Sequence, residues 1–487
     1  MRGGGPSAAA CVLAFGAGLW WAAAQPVYHT DLWGHLAYGR HIAAEGIPQT
    51  EPLLPLSDEA MPPSDWLWKW LAFEAVGGGP SVLLLQAVPV AAAAALLAAV
   101  AFRRSRSLFG AAVAVGAAWW VVKSHLMVRP QTVGVTLFCA TLWLSEGRRL
   151  GAAAGAAFVL FAAWANLHGS WVLGLLLLLG QATGDAASAA WRRRSATRRL
   201  FVRRAARNGL LAAAAAVAVN LNPDGPAIFR HAAELSAHPN VASFVEWKPL
   251  AETPRQRLAL LTVLAATAAA AVLLRKRVRL RDVFVVTPLL AKTVAVSRTV
   301  LWAGPLVGVE AGRQAAAAVH RLASSTRRRP VFAAAAAAAG VAMTGAGAHQ
   351  IATAPGSVGD PASLRPVVST GTPLGGLVAL NESGRRGLVW CDQDWGDAAL
   401  YFCPDAAPVV NSHGHVIPPN VWLIGTRLQG SDRAAEYLDR LRIDTVLTRP
   451  RRRAFLRRLE DAGWAVRHRD GRSVLLVRPT VVERDAP

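Results

Sequence analysis

A chain of 487 residues that is 53% hydrophobic and only 17% charged is too apolar for a soluble globular protein, in which about a quarter of residues are charged. Its apolar residues come in blocks long enough to cross a hydrocarbon core of ~30 Å, which excludes a soluble fold and predicts an α-helical multi-span membrane protein. The formal charge of +22, from 52 Lys and Arg against 30 Asp and Glu, falls in clusters between the apolar runs, so it reads as a topology signal with attraction to anionic lipid, and no nucleic-acid partner is expected.

Residues 8–25 are the first apolar run, preceded by Arg2. Ala22-Ala23-Ala24-Gln25 resembles a signal-peptidase site, but an uncleaved anchor is expected, and either reading puts residue 26 outside. Residues 26–78 form a large outer loop that holds Glu51, Asp58, Glu59 and Asp65 and ends in the interfacial aromatic cluster Trp66-Leu67-Trp68-Lys69-Trp70. Near its start lies an island of ionisable residues, His29 to His41, expected to begin a short helix along the membrane surface. Asp31 and His35 are four residues apart there and share one helical face.

Further spans are predicted at 80–102, 108–122, 131–145, 152–166, 171–188, 208–220, 258–274, 283–296, 299–312 and 331–346, about eleven in all with the first. Alternate loops are strongly basic: 103–106, 147–149, 191–207, 275–279 and 321–329. The intervening loops mix His, Asn and acids. The positive-inside rule therefore predicts a plasma (inner) membrane protein with a cytoplasmic N-terminus and an extracytoplasmic C-terminal domain. The alanine runs 91–95 and 333–339 permit close helix packing.

The transmembrane domain is expected over 1–346, a Gly/Pro/Ser/Thr-rich linker over 347–384, and a small α/β domain over 385–487. Strand-type runs occur at 387–390, 407–410 and 444–447, and helical spacing at 433–441 and 452–462. Asp470-Gly471 between two more apolar runs is a hairpin signal. Cys11 and Cys139 lie in apolar runs and read as packing residues; Cys391 and Cys403 could pair in an oxidising compartment.

The outward-facing polar residues near span ends include one first-loop carboxylate, several histidines and several cations. Such an inventory suits a general base beside a bound anionic group such as a phosphate. Asp31 and His35 are the candidate catalytic residues, and Lys123, Arg129, His168 and Arg298 the candidate phosphate-binding residues. Each has a plainer reading. Asp31 or Thr30 would cap the helix, His35 could be solvated and idle, and Lys123 or Arg129 could be snorkelling anchors. Residues 166–170 could be a tight turn. Lys292, predicted inside a span, has the weakest plain reading. For metal, His29, Asp31 and His35 form one candidate group and His413 and His415 another; neither has the spacing of a tight site, so no structural metal is expected, while a divalent cofactor is left open. No phosphate-binding Gly-rich loop, nucleophile elbow or paired-Cys motif occurs.

The segments Asp31-Leu32-Trp33-Gly34-His35 and Gly46-Ile47-Pro48-Gln49-Thr50-Glu51-Pro52, then Trp164 to Ser170, Asn222-Pro223-Asp224-Gly225, Glu246-Trp247 and Asp394-Trp395-Gly396, together resemble a group of bacterial multi-span proteins. That group is similar to the C-type glycosyltransferase superfamily. The resemblance implies sugar transfer from a polyprenyl-phosphate donor to a glycan or envelope-protein acceptor, with membrane lipid as a further partner. Asp31 matches the first-loop carboxylate that deprotonates or orients the acceptor. Two departures stand out: Asp31 is followed by Leu32 and Trp33 where many members carry paired acids, and Asn411-Ser412-His413-Gly414 stands where the related group often has Asp-Gly-Arg. A non-catalytic scaffold or envelope-assembly component is the alternative reading, with a transporter behind it.

Overall fold

The computed structural model describes residues 4–28, 31–147, 150–192, 195–274, 278–322 and 329–478. Arg2, His29, Thr30, Arg148, Arg149, Arg275, Lys276, Arg277 and the residues after 478 lie outside that set.

Helices dominate. In chain order they are α1 (Gly4–Ala23), α2 (Asp31–Glu45), α3 (Trp66–Ala75), α4 (Gly79–Ser105), α5 (Leu108–Val122), α6 (Pro130–Ser145), α7 (Leu150–Leu167), α8 (Trp171–Trp191), α9 (Ser195–Ala218) and α10 (Ile228–Ala237). There follow α11 (Pro239–Ala242), α12 (Pro254–Leu273), α13 (Leu280–Ala295), α14 (Val300–Leu322), α15 (Arg329–Ala352), α16 (Leu374–Glu382), α17 (Gly396–Phe402), α18 (Pro419–Arg427), α19 (Ala434–Arg440) and α20 (Arg453–Asp461). All eleven expected spans fall on helices. Among the described residues, six helices are long and apolar enough to cross a membrane: 5–23, 79–105, 108–125, 171–191, 254–273 and 331–352. The other five are shorter or interrupted by charge. The helices α6 and α13 have 16 residues each, α9 opens on an arginine-rich half, and α14 carries the ion pair Glu310–Arg313.

The chain forms two compact units: residues 1–24, 84–233 and 242–352 make the first, and 25–83, 234–241 and 353–487 the second. This differs from the sequence expectation, which left the first loop with the helical domain and 347–384 as a linker. Instead α15 runs to Ala352, and α16 and the 26–78 loop join the C-terminal sheet in one unit. Backbone bonds tie them: Val27 N–H donates to Val367 O at 2.9 Å, and Ser369 N–H to Val27 O at 2.9 Å.

In the first unit small residues set the closest helix contacts. Gly304, Gly308 and Gly312 repeat every fourth residue on α14 and face α5; a Cβ at Gly308 would sit 2.5 Å from Ala114 O, and one at Gly312 2.1 Å from Gly110 O. The first and last helices of the unit, α1 and α15, pair in the same way, with Gly16 against Gly340 O. Several arginines at or near the basic loops are held by ion pairs or backbone carbonyls. Arg104 binds Glu146 (2.6 Å) and Asp282 (2.9 Å), Arg281 binds the same Glu146 (2.6 Å), Arg207 donates to Ser145 O (2.8 Å), and Arg321 donates to Leu274 O (2.6 Å). Arg104, Arg207 and Arg321 come from three of the five basic loops.

In the second unit the five strands are β1 (Gly387–Cys391), β2 (Ala406–Pro408), β3 (Thr445–Thr448), β4 (Ala465–Arg469) and β5 (Val474–Val477), ordered β2-β1-β3-β5-β4. The first three are parallel; β5 runs antiparallel to both β3 and β4. Every predicted strand is present, and Asp470-Gly471 turns the hairpin. Strands β3 and β5 are buried along their whole length, as both faces are covered. Arg452 holds Asp392 at the end of β1 (2.5 Å), and Arg449 reaches both Asp392 and Asp394. Cys391 and Cys403 are buried free thiols, and Cys403 Sγ donates to Leu377 O.

Candidate functional site

Helix α2 organises the second unit. Ten of its fifteen residues are buried, from Asp31 to Gly39 and Ile42, so it is a core helix of this unit rather than one with a solvated face. Asp31 is its first residue, where a carboxylate is favoured by the helix dipole. His35 follows one turn later, and both are more than nine-tenths buried. Two glycines let neighbours come close. A Cβ at Gly34 would lie 2.0 Å from Asp397 Oδ1, and one at Gly39 2.2 Å from Lys69 O. Apolar neighbours complete the seat: Trp33 packs on Tyr401 and Phe402 of α17, and Arg40 caps that helix by donating to Leu400 O and Tyr401 O.

Around His35 four segments converge. Asp65 precedes α3 and pairs with Lys69 four residues on, Nζ to Oδ1 2.9 Å. Its other oxygen, Oδ2, lies 3.7 Å from His35 Nδ1. His413, in the loop after β2, faces His35 ring to ring with centroids 5.0 Å apart, and its Nδ1 is 3.6 Å from Asp397 Oδ1. The loop is shaped by Asn411, whose Oδ1 accepts from His413 N–H (2.8 Å) and whose Nδ2 donates to Tyr38 OH (3.1 Å). Tyr38 in turn donates to Glu51 Oε2 (2.8 Å), and Glu51 Oε1 accepts from the N–H groups of Leu53 and Leu54. Asn240 pins the far side of the loop through Gly414 O and Ile417 O.

Burial dominates the electrostatics. It pushes His35 down to about 3, helped by the neighbouring His413, so the imidazole is neutral near pH 7. His415 is pushed down to about 3 for the same reason. Burial opposes ionisation of Asp65, but the Lys69 ammonium outweighs it and holds the carboxyl below its usual range. Burial raises Glu51, against the pull of the Leu53 N–H and Tyr38, and burial beside Glu51 raises Tyr38 well above its ordinary value.

The four expected phosphate-binding residues lie in the first unit and are not all together. Arg129 and Arg298 share one carboxylate, each 2.8 Å from Glu246. His125 lies nearby against Gln256, at 3.2 Å. Lys123 stacks over Trp120, 4.3 Å from the ring centre. His168 Nδ1 engages Ser170 Oγ at 2.7 Å, so residues 166–170 are a hydrogen-bonded turn. Lys292 is a last-turn cation of α13.

Asp31 and His35 do share a face, as their spacing predicts. The histidines His35 and His413, which the sequence places in separate candidate groups, come together, while His29 lies outside the described residues. The residues that sequence reasoning passes over are Asp65, Lys69, Asp397, Tyr38 and Glu51. Only the Asp65–Lys69 spacing of four carried a signal, and it sits inside an aromatic cluster that reads as membrane-interfacial. No known protein family matches this chain, and no curated protein compared with it matches either.

Proposed function

We propose that the protein is a membrane glycosyltransferase of the C-type kind, which moves a sugar from a polyprenyl-phosphate donor to an acceptor at the extracytoplasmic face. In this reading Asp31 is the general base and His35 orients it or the acceptor. Arg129 and Arg298 are the donor-phosphate candidates of the helical unit, ahead of Lys123 and His168, which are held in local contacts. The chain crosses the membrane about eleven times, with the five basic loop ends inside the cell. The observation that carries the reading is that Asp31 and His35, one helical turn apart, are both buried rather than solvated. A buried carboxylate one helical turn from a neutral imidazole can serve as a base, and a positioned base contributes about 10²–10⁴ in rate. The resemblance of the first loop to the superfamily's supplies the choice of reaction.

One observation favours the scaffold alternative: Glu246 already pairs with both Arg129 and Arg298. The two readings separate on bound lipid. Mass spectrometry of lipids co-purified with the protein is expected to find a polyprenyl phosphate enriched over bulk membrane lipid; bulk phospholipid alone supports the scaffold.

A further inference from the structure

We propose that His35, Asp65 and His413 form a binding site for one divalent transition-metal ion of the zinc class. The inference goes beyond the transferase reading and does not depend on it, since it stands on the geometry of the second unit alone.

Three chain segments far apart in sequence bring one ligand atom each to within 4.8 Å of one another. Bonds of about 2.0–2.1 Å in a tetrahedral site put neighbouring ligand atoms about 3.3 Å apart. The most separated atoms therefore need to close by at most about 1.5 Å, a movement that side-chain rotation supplies. Two imidazoles and one carboxylate are the ligand set of open, three-residue zinc centres. The same donors suit cobalt, nickel or iron(II), and disfavour magnesium and calcium, which take oxygen ligands.

Two further observations point to a ligand. His35 Nδ1 is buried and has no hydrogen-bond partner; the nearest carboxylate oxygen, Asp65 Oδ2 at 3.7 Å, is beyond hydrogen-bonding reach. A buried imidazole nitrogen left this way is rare unless something else engages it. The carboxylate is also prepared for one-oxygen ligation. Lys69 holds Oδ1 at 2.9 Å, which leaves Oδ2 turned to His35. Behind His413, Asp397 Oδ1 stands 3.6 Å from Nδ1, and Ser412 N–H fixes its other oxygen at 3.1 Å. At 3.6 Å, Asp397 places a negative charge behind the ring rather than a hydrogen bond on it. The Lys69 ammonium opposes the cation, which lowers affinity but does not block the open side of Oδ2.

The test is metal binding by the full chain in detergent. After chelator treatment, titration with zinc is expected to saturate at one ion per chain, and cobalt to give the visible absorption of a tetrahedral site. His413→Ala should lower zinc affinity by at least about 100-fold, whereas His413→Cys, which restores a ligand, should return it to within about tenfold of wild type. Circular dichroism of each variant separates lost ligation from lost folding. His468→Ala, in the distant hairpin, should leave binding unchanged. Failure of the wild-type chain to bind zinc overturns the proposal, as does His413→Ala binding like wild type. Equal binding by His413→Ala and His413→Cys overturns it too.

Discussion

Gly34 and Asp397 are in such close approach that a single added carbon on the glycine would lie 2.0 Å from the carboxylate oxygen. The contact joins α2, from the segment after the first helix, to α17, from the sheet region, across more than three hundred residues of sequence. It also fixes the carboxylate behind His413.

Gly34→Ala is therefore expected to push Asp397 away and to cost about 1–3 kcal/mol of stability in the second unit, the usual range for overpacking a core. Thermal unfolding of the purified protein measures it. An unchanged melting point would show that α17 shifts freely.

Lys69→Met leaves the half-buried Asp65, facing His35, without its ammonium. Removing one partner of a buried pair costs about 3–5 kcal/mol, so this variant should be strongly destabilised. Adding Asp65→Asn removes the orphaned charge and should recover most of the loss. A double-mutant cycle by denaturant unfolding reads the coupling; additive effects would show that the pair contributes little.

Acid should loosen the second unit. His35 has a folded value of about 3 against an ordinary 6.5. Below pH 6.5 the unfolded chain therefore binds a proton that the folded chain does not, and stability falls as pH falls from 6.5 towards 3. The slope is about 1.4 kcal/mol per pH unit for one such group. His415 acts in the same direction, and Asp65 adds to the loss at still lower pH, below its ordinary carboxylate value. Melting points of chelator-treated protein should drop as pH is lowered from about 7 to about 5. His35→Asn should flatten the decline, and a profile indifferent to that change would contradict the assignment.

Glu246→Gln should weaken the first unit, because Arg129, itself buried, and Arg298 then lose their shared carboxylate. A cost of about 1–3 kcal/mol is expected for hydrogen bonds to charged groups, read as a lower melting temperature of the helical unit by circular dichroism. Stability equal to wild type would mean that water or lipid already shares the work.

The helices and strands were legible because their signals are local. Apolar length marked the long helices, β-branched and aromatic runs marked β1 and β3, and Asp470-Gly471 marked the hairpin. The division into units was not legible, because it rests on pairings such as Val27 with Val367 that no periodicity encodes. The site was half legible. Asp31 and His35 lie four apart on one helix, so spacing predicts their shared face, whereas Asp397 and His413 arrive by tertiary packing against a glycine whose only sequence mark is the absence of a side chain. Lys123 and Arg129 look alike in sequence, and only packing separates a cation stacked on Trp120 from one bound to Glu246.

The central claim is that Asp31 acts as a base in sugar transfer, and a labelled-donor assay tests it most directly. Purified wild-type protein in lipid nanodiscs, supplied with polyprenyl-phosphate sugars labelled on the sugar and a cell-envelope extract as acceptor source, should move label out of the lipid fraction. Asp31→Asn, with an unchanged circular-dichroism spectrum, should slow that movement by about 10²–10⁴-fold. Transfer by Asp31→Asn at the wild-type rate, or no transfer by the wild-type protein from any donor supplied, would contradict the account.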